Sequence, residues 1–246
     1  MILLYHHVAP PERVPPDGAD GWGFNHSPEA FERQLVELRR RHYRFASLAE
    51  LVNDLSGGHP VSDDSVAVTF DDGWMDNYEY AFPVLRRLGI TATFFVISRH
   101  LRPAAGDPKR MGPAELRHLV REGFTIGAHS RTHPDLTRIA PEAAREEIAG
   151  CKADIEQTLG AAVDFFAYPG GAFNRGIVQL AREAGYKAAC SILGPKTNDP
   201  SSLFWLFRDL LSPGLNTLGD YYRLSRIARK VLSFQVERKL REKLKS

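Results

Sequence analysis

Short apolar runs alternate with amphipathic helical stretches along most of this 246-residue chain, and that alternation constrains the fold more than any other feature. Residues 2–5, 43–46, 66–70, 92–97, 124–128, 165–168 and 187–191 read as extended. Between them, Ser27-Pro28-Glu29 opens a helix whose apolar face carries Phe31, Leu35 and Leu38, and Ser47 with Glu50 forms a capping box for the next. A helix through Tyr80, Val84 and Leu88 ends at Gly89, and others are predicted over 113–121, 141–159 and 175–184. Strands separated by helices in this way make parallel βαβ units, as a barrel or a doubly wound sheet. No G-x-G-x-x-G or P-loop follows any strand, so the nucleotide-binding versions of such folds lack their signature.

Composition narrows the classes further. With 43% apolar and 25% charged residues the chain can bury a substantial core, and its net charge of +2 gives no reason to expect a nucleic-acid partner. No apolar run approaches the ~20 residues of a membrane span. The opening Met1-Ile2-Leu3-Leu4-Tyr5-His6 turns polar too soon for a signal peptide, so a cytoplasmic location is expected. Cys151 and Cys190 read as buried free thiols.

Chemistry concentrates where the strands end. Val66, Val68 and Phe70 alternate as in a half-buried strand, which stops at Asp71-Asp72-Gly73. Two adjacent carboxylates repel, and a cation or a shared proton relieves that cost. Directly after the 124–128 strand comes His129-Ser130-Arg131-Thr132-His133-Pro134, with Pro134 favouring a loop over a helix at His133. Parallel strands in an α/β architecture bring their C-terminal ends to one face. Asp72, His129 and His133 then offer one oxygen and two nitrogens, leaving an open position for water as in a catalytic zinc site. Asp71, beside the ligand, is placed to act as general base. A third strand ends in Phe165-Phe166-Ala167-Tyr168-Pro169-Gly170-Gly171, where a glycine N–H can donate to a developing oxyanion.

Thr69-Phe70-Asp71-Asp72-Gly73, His129-Ser130-x-x-His133 and Phe166-Ala167-Tyr168-Pro169-Gly170-Gly171 together resemble, in order and spacing, the first three motifs of the polysaccharide deacetylase family (carbohydrate esterase family 4, the NodB-homology domain). The resemblance covers roughly residues 1–215. It implies a distorted (β/α) barrel of the seven-stranded type and a divalent metal, usually zinc with nickel or cobalt as alternatives. It also implies hydrolysis of an N-acetyl group on an amino sugar in a glycan or its precursor. By position, Asp71 is the base, Asp72, His129 and His133 are the metal ligands, and the Gly170 N–H stands for the family's oxyanion donor.

Two departures from the family pattern affect the roles. The arginine that orients the catalytic aspartate in many members is replaced by Ala167, and Arg208 is the candidate substitute, the alternative being an ordinary surface arginine. No histidine follows His133 to serve as the late catalytic acid. Instead Tyr5-His6-His7-Val8 is similar to the opening of the poly-N-acetylglucosamine deacetylase branch, which implies a histidine acid there. Alternation sends His6 and His7 to opposite faces, so only one can point into the barrel mouth. The resemblance implies His6, which matches the family position, over His7.

The remaining features are less directive. His26, His42, His59, His100 and His118 read as surface residues; Trp22, Phe24, Trp74 and Trp205 either stack on sugar faces or pack in the core. Residues 216–246 form an expected extension to the catalytic domain at 1–215. Between 220 and 246 nine basic residues face three acidic ones, with Leu224, Ile227, Val231, Phe234 and Leu240 near helical spacing. That stretch reads as a basic amphipathic helix packed on the domain, with peripheral membrane contact as the alternative. Other readings of the chain are deacylation of a small or lipid-linked amide, or glycan binding without catalysis.

Overall fold

Caps set most helix boundaries locally. Ser27 accepts from the Ala30 N–H and Pro28 occupies the first turn of α1 (Pro28–Arg40), while the Ser47–Glu50 capping box opens α2 (Leu48–Ser56). Left-handed glycines close α3 (Phe82–Leu88) and α5 (Pro141–Leu159) at Gly89 and Gly160. Between those two lies α4 (Pro113–Arg121), and α6 (Arg175–Glu183) follows. This arrangement is seen in a computed structural model, which describes residues 1–13, 25–101, 109–196 and 198–210.

The strands are β1 (Ile2–Tyr5), β2 (His7–Val8), β3 (Asn25–His26), β4 (Arg44–Phe45), β5 (Ser65–Phe70) and β6 (Ala92–Val96). They continue with β7 (Thr125–Ala128), β8 (Phe165–Ala167), β9 (Ala188–Ser191), β10 (Leu206–Phe207) and β11 (Asp209–Leu210). The main sheet runs β10-β9-β8-β7-β6-β5-β1-β11, with every described pair parallel. Its two ends are halves of one stretch. Leu206 and Phe207 align with Cys190 and Ser191 of β9, and Asp209 and Leu210 with Leu3 and Leu4 of β1. Residues 206–210 therefore join the last strand to the first, and the sheet curls into a (β/α) barrel.

Two faces of that sheet are filled. Inward residues Ile2, Ala67, Phe95, Phe165, Ala167 and Cys190 cluster with Leu48, Leu51 and Leu55 of α2. Outward residues such as Tyr5, Val68, Phe70 and Phe94 pack with Phe31, Leu35, Ile148 and Ile155 of the helices. The half-buried strand read from Val66, Val68 and Phe70 is thus corrected: all six residues of β5 are buried. The physical reason is the barrel itself, since small Ala67 and Thr69 line its filled interior and are buried there.

A second correction concerns His26, which is buried rather than on the surface. Pairing of β3 with β2 lays its ring edge-on against Tyr5, with centroids 5.1 Å apart. His42 and His59 are exposed and His100 and His118 half-buried. Cys151 and Cys190 are buried free thiols, each pushed up to about 12 by burial. No described helix is long and apolar enough to cross a membrane. Trp22, Phe24, the boundary at 215/216 and the basic stretch 220–246 lie outside the described residues.

Candidate metal centre and active site

Strand ends deliver the site, as parallel topology requires. β5 stops at Phe70, and Asp71 still donates its N–H to the Tyr5 carbonyl (3.1 Å) before the chain turns. Asp72 and Gly73 then take left-handed backbones, φ 72° and 69°. At Gly73 a Cβ would lie 3.0 Å from a Val96 methyl, so glycine is required both by conformation and by space. Four described non-glycine residues have positive φ, and three of them (Asp72, Ser130 and His133) carry this site or its loop. Such backbones cost about 1–3 kcal/mol each and persist where surrounding bonds fix them. Here the Arg110 guanidinium donates to the Asp72 carbonyl (2.6 Å), and Ser130 Oγ accepts from the His133 N–H (2.9 Å).

The histidine loop is fastened at both ends. His129 extends the β7 pairing through its N–H to the Val96 carbonyl (2.9 Å). Beyond it, Arg131 pairs with Asp154 and Glu146 of α5, and Thr132 bonds Glu147.

The Asp72 Oδ1 lies 3.6 Å from Nε2 of both His129 and His133, and the three donor atoms all fall within 4.8 Å of one another. Ligands about 2.0–2.2 Å from a tetrahedral ion stand roughly 3.3–3.6 Å apart, so this spacing suits one. The hydrogen bonding agrees. His129 Nδ1 lies 2.8 Å from the Ala167 carbonyl, which can only accept, so Nδ1 carries the proton. Burial pushes this imidazole down to about 4, against the pull of Asp71, so the ring is neutral and Nε2 presents a lone pair. That lone pair faces carboxylate oxygens of both aspartates, at 3.6 and 3.7 Å. Converging acceptors of this kind call for a cation. The residues fit a divalent metal.

Asp71 stands differently. Arg208 grips it with two parallel bonds, Nη1 to Oδ1 and Nη2 to Oδ2, both 2.6 Å. Arg208 is 1% exposed, and its guanidinium also lies 5.3 Å from the Phe95 ring centre. The reading of an ordinary surface arginine is therefore excluded: barrel closure draws residue 208 inside. Burial raises the Asp71 carboxyl, but the Arg208 charge and its two hydrogen bonds, with His6, outweigh it and hold the group well below the usual carboxylate range. Asp72 is likewise lowered, by His129, His133, His6 and Arg110 against its own burial.

Position separates the two N-terminal histidines. His6 lies near enough to both aspartates for its charge to lower them. His7 turns away, 2% exposed, with Nδ1 2.6 Å from Asp76 Oδ2 and its ring 4.4 Å from Trp74. Gly170, with φ 59°, sits exposed beside β8 with open space over its Cα.

Two contributors escape sequence reasoning. Trp74 is buried, and its indole N–H donates to Asp72 Oδ2 (3.2 Å), so it braces a candidate ligand rather than offering a sugar platform. The Arg110 guanidinium lies 3.2 Å from the Trp74 ring centre. Trp74 stands two residues after the ligand, which is a usable signal; Arg110 comes from a distant segment and gives none. Trp205 stacks parallel to Phe173 as part of the packing around the core.

The sequence profile of the polysaccharide deacetylase family matches residues 58–189 of this chain. The chain belongs to the polysaccharide deacetylase family. It is 25% identical over 215 residues to YxkH of Bacillus subtilis (87% of this chain, 72% of that one). It is 26% identical over 192 residues to the peptidoglycan-N-acetylmuramic acid deacetylase PdaA of the same organism (76% and 65%). Among solved structures, the Streptococcus pyogenes deacetylase PplD, in complex with acetate, superposes with a TM-score of 0.77 at 25% identity, covering 87% of this chain and 92% of that one. The chain spans about two thirds to three quarters of the length of the two sequence relatives. As a polysaccharide deacetylase family member, it keeps the family's barrel while drawing the arginine beside Asp71 from the closing strand.

Proposed function

We propose that this polysaccharide deacetylase family member is a metal-dependent hydrolase that removes an N-acyl group, most simply acetyl, from an amino sugar in a glycan or glycan precursor. One observation carries the reading: an arginine-held carboxylate, Asp71, lies beside a converging Asp72–His129–His133 donor set at the mouth of one barrel. Bound by those three residues, a divalent ion (zinc, with nickel or cobalt suited to the same donors) supplies Lewis acidity to the acyl oxygen and to water, so that a weak base suffices.

The chain's own residues do the rest. Asp71 accepts the proton of the attacking water, and Arg208 fixes both of its oxygens so that the acceptor is held ionised and aimed. The Gly170 N–H donates to the oxygen that gains charge as the water's oxygen bonds to the acyl carbon. His6 gives its proton to the nitrogen as the carbon–nitrogen bond breaks, leaving acetate and a free amino sugar. The relatives' names point to N-acetylated glycans as the substrate class.

The test is acetate release by the zinc-loaded full chain from N-acetylglucosamine oligomers, peptidoglycan fragments and lipid-linked N-acetylated sugars. Release that disappears with Asp71→Asn supports the reading. An active Asp71→Asn chain, or no release from any of the three classes, would overturn it.

A further inference from the structure

The seven residues from Asp71 to Asn77 do more than supply a base and a ligand. β1 ends at Tyr5, and the next paired residue, His7, belongs to a different sheet through β3. His6 is the residue at that changeover, where the barrel ladder no longer sets the direction of its side chain. Its carbonyl accepts from Asn77 Nδ2 at 2.8 Å. On its far side, Asp76 Oδ2 holds His7 Nδ1 at 2.6 Å and Asp76 Oδ1 accepts from the Val8 N–H at 3.4 Å. Asn77 also donates to Asp76 Oδ1 (2.8 Å), which ties the two clamps together.

Asn77 is fully buried and opens a π-type turn, Asn77–Ala81, that follows directly on the Trp74 turn, its N–H bonding the Trp74 carbonyl at 3.2 Å. Trp74 packs on the His7 ring and donates to Asp72. One short segment therefore touches the candidate ligand at one end and both sides of His6 at the other. Fixing the His6 carbonyl and the His7 ring fixes the peptide plane between them. It thereby fixes the side of the chain on which His6 projects, because successive residues of an extended chain point oppositely.

We propose that Asn77 and Asp76 are positioning residues that hold His6 in register with Asp71 and Asp72 for proton delivery to the leaving nitrogen. The proposal rests on the reading of His6 as the acid, and it can fail separately from it.

The experiment compares two substrates on the zinc-loaded full chain. An N-acetylated glucosamine oligomer expels an alkylamine that must be protonated, whereas 4-nitrophenyl acetate expels a phenolate that needs no proton. Asn77→Ala and Asp76→Ala are expected to lower kcat on the oligomer by about 10- to 100-fold with KM nearly unchanged, the scale of a misplaced acid. Zinc content and the rate on 4-nitrophenyl acetate should stay close to those of the native chain. In a His6→Ala background neither substitution should cost anything more on the oligomer, since both act through the same group.

Equal losses on the two substrates, or losses that multiply with that of His6→Ala, would overturn the proposal and leave a merely structural role. If buried Asn77→Ala does not fold, Asp76→Ala carries the test, because the Asp76 side chain is 19% exposed. Oligomer turnover indifferent to His6→Ala would sink the assignment of the acid and the proposal together. Dependence on His6 without dependence on Asn77 or Asp76 would sink the proposal alone.

Discussion

Asp71 and Asp72 are neighbours in the chain, yet they face two regions of the barrel mouth with opposite electrostatics. On the Asp71 side both oxygens accept from Arg208, and a negative charge meets a positive one of the protein's own. On the Asp72 side an oxygen and two imidazole nitrogens turn toward a common point, and among the described residues the Trp74 indole braces the carboxylate. The first region is electrostatically complete within the chain, so its geometry is fixed. The second gains most from a cation supplied from outside. Adjacent residues meet different partners because the chain turns at Asp72 and Gly73, whose backbones are both left-handed.

That contrast can be broken at several points. Asp72→Ala should have the largest effect: bound zinc and acetate release both vanish, as read by metal analysis of the purified chain beside a turnover assay. Zinc retained by this variant would mean that the second region is not the cation site. Asp71→Asn should keep zinc while turnover falls by about 10²- to 10⁴-fold, the usual worth of a positioned base. Loss of zinc together with activity would erase the distinction between the two sides.

Arg208→Ala leaves a buried carboxylate without its partner, and denaturant unfolding should show a loss of about 3–5 kcal/mol. Arg208→Lys should recover part of the charge but not the paired geometry, so it should lie between the two. Full stability in Arg208→Ala would show that Asp71 does not depend on this ion pair.

The pH dependence comes next in size. With its folded pKa near 4 against an ordinary 6.5, His129 resists protonation in the folded state. The unfolded chain gains that proton as pH drops through 6.5, so the metal-free protein should lose about 3 kcal/mol between pH 6.5 and 4 from this group. Asp71 and Asp72 are lowered, so their contribution is present above pH 3.8 and is lost only as pH falls further. A chelated His129→Gln chain should show a flatter slope in that window; a slope equal to the native one would remove His129 as the cause. Trp74→Phe should have the smallest effect, weakening zinc affinity by about 10- to 100-fold through the lost indole bond, measured by competition with a chelating dye.

Legibility in the sequence followed the range of the forces involved. Helix limits such as Pro113–Arg121 and Pro141–Leu159 depend on caps, prolines and glycines within a few residues, and they stand where the pattern places them. Burial was less legible. The alternation of β5 reads like a one-sided sheet, and only closure buries its small residues inside a barrel. His26 looks like a loop histidine because nothing nearby in sequence announces that β3 covers Tyr5.

The chain's order of apolar runs and helices determined parallel βαβ units but not whether they close, and three short motifs determined which side chains collect at strand ends. Tertiary structure decided which of them meet. Arg208 reaches Asp71 across 137 residues because one stretch pairs with β9 and β1 in turn. The His6 carbonyl and the His7 ring are clamped by a turn 69 to 71 residues further on. Propensity and capping act over one turn of chain, whereas an ion pair inside a barrel exists only once the ring of strands has closed in one register.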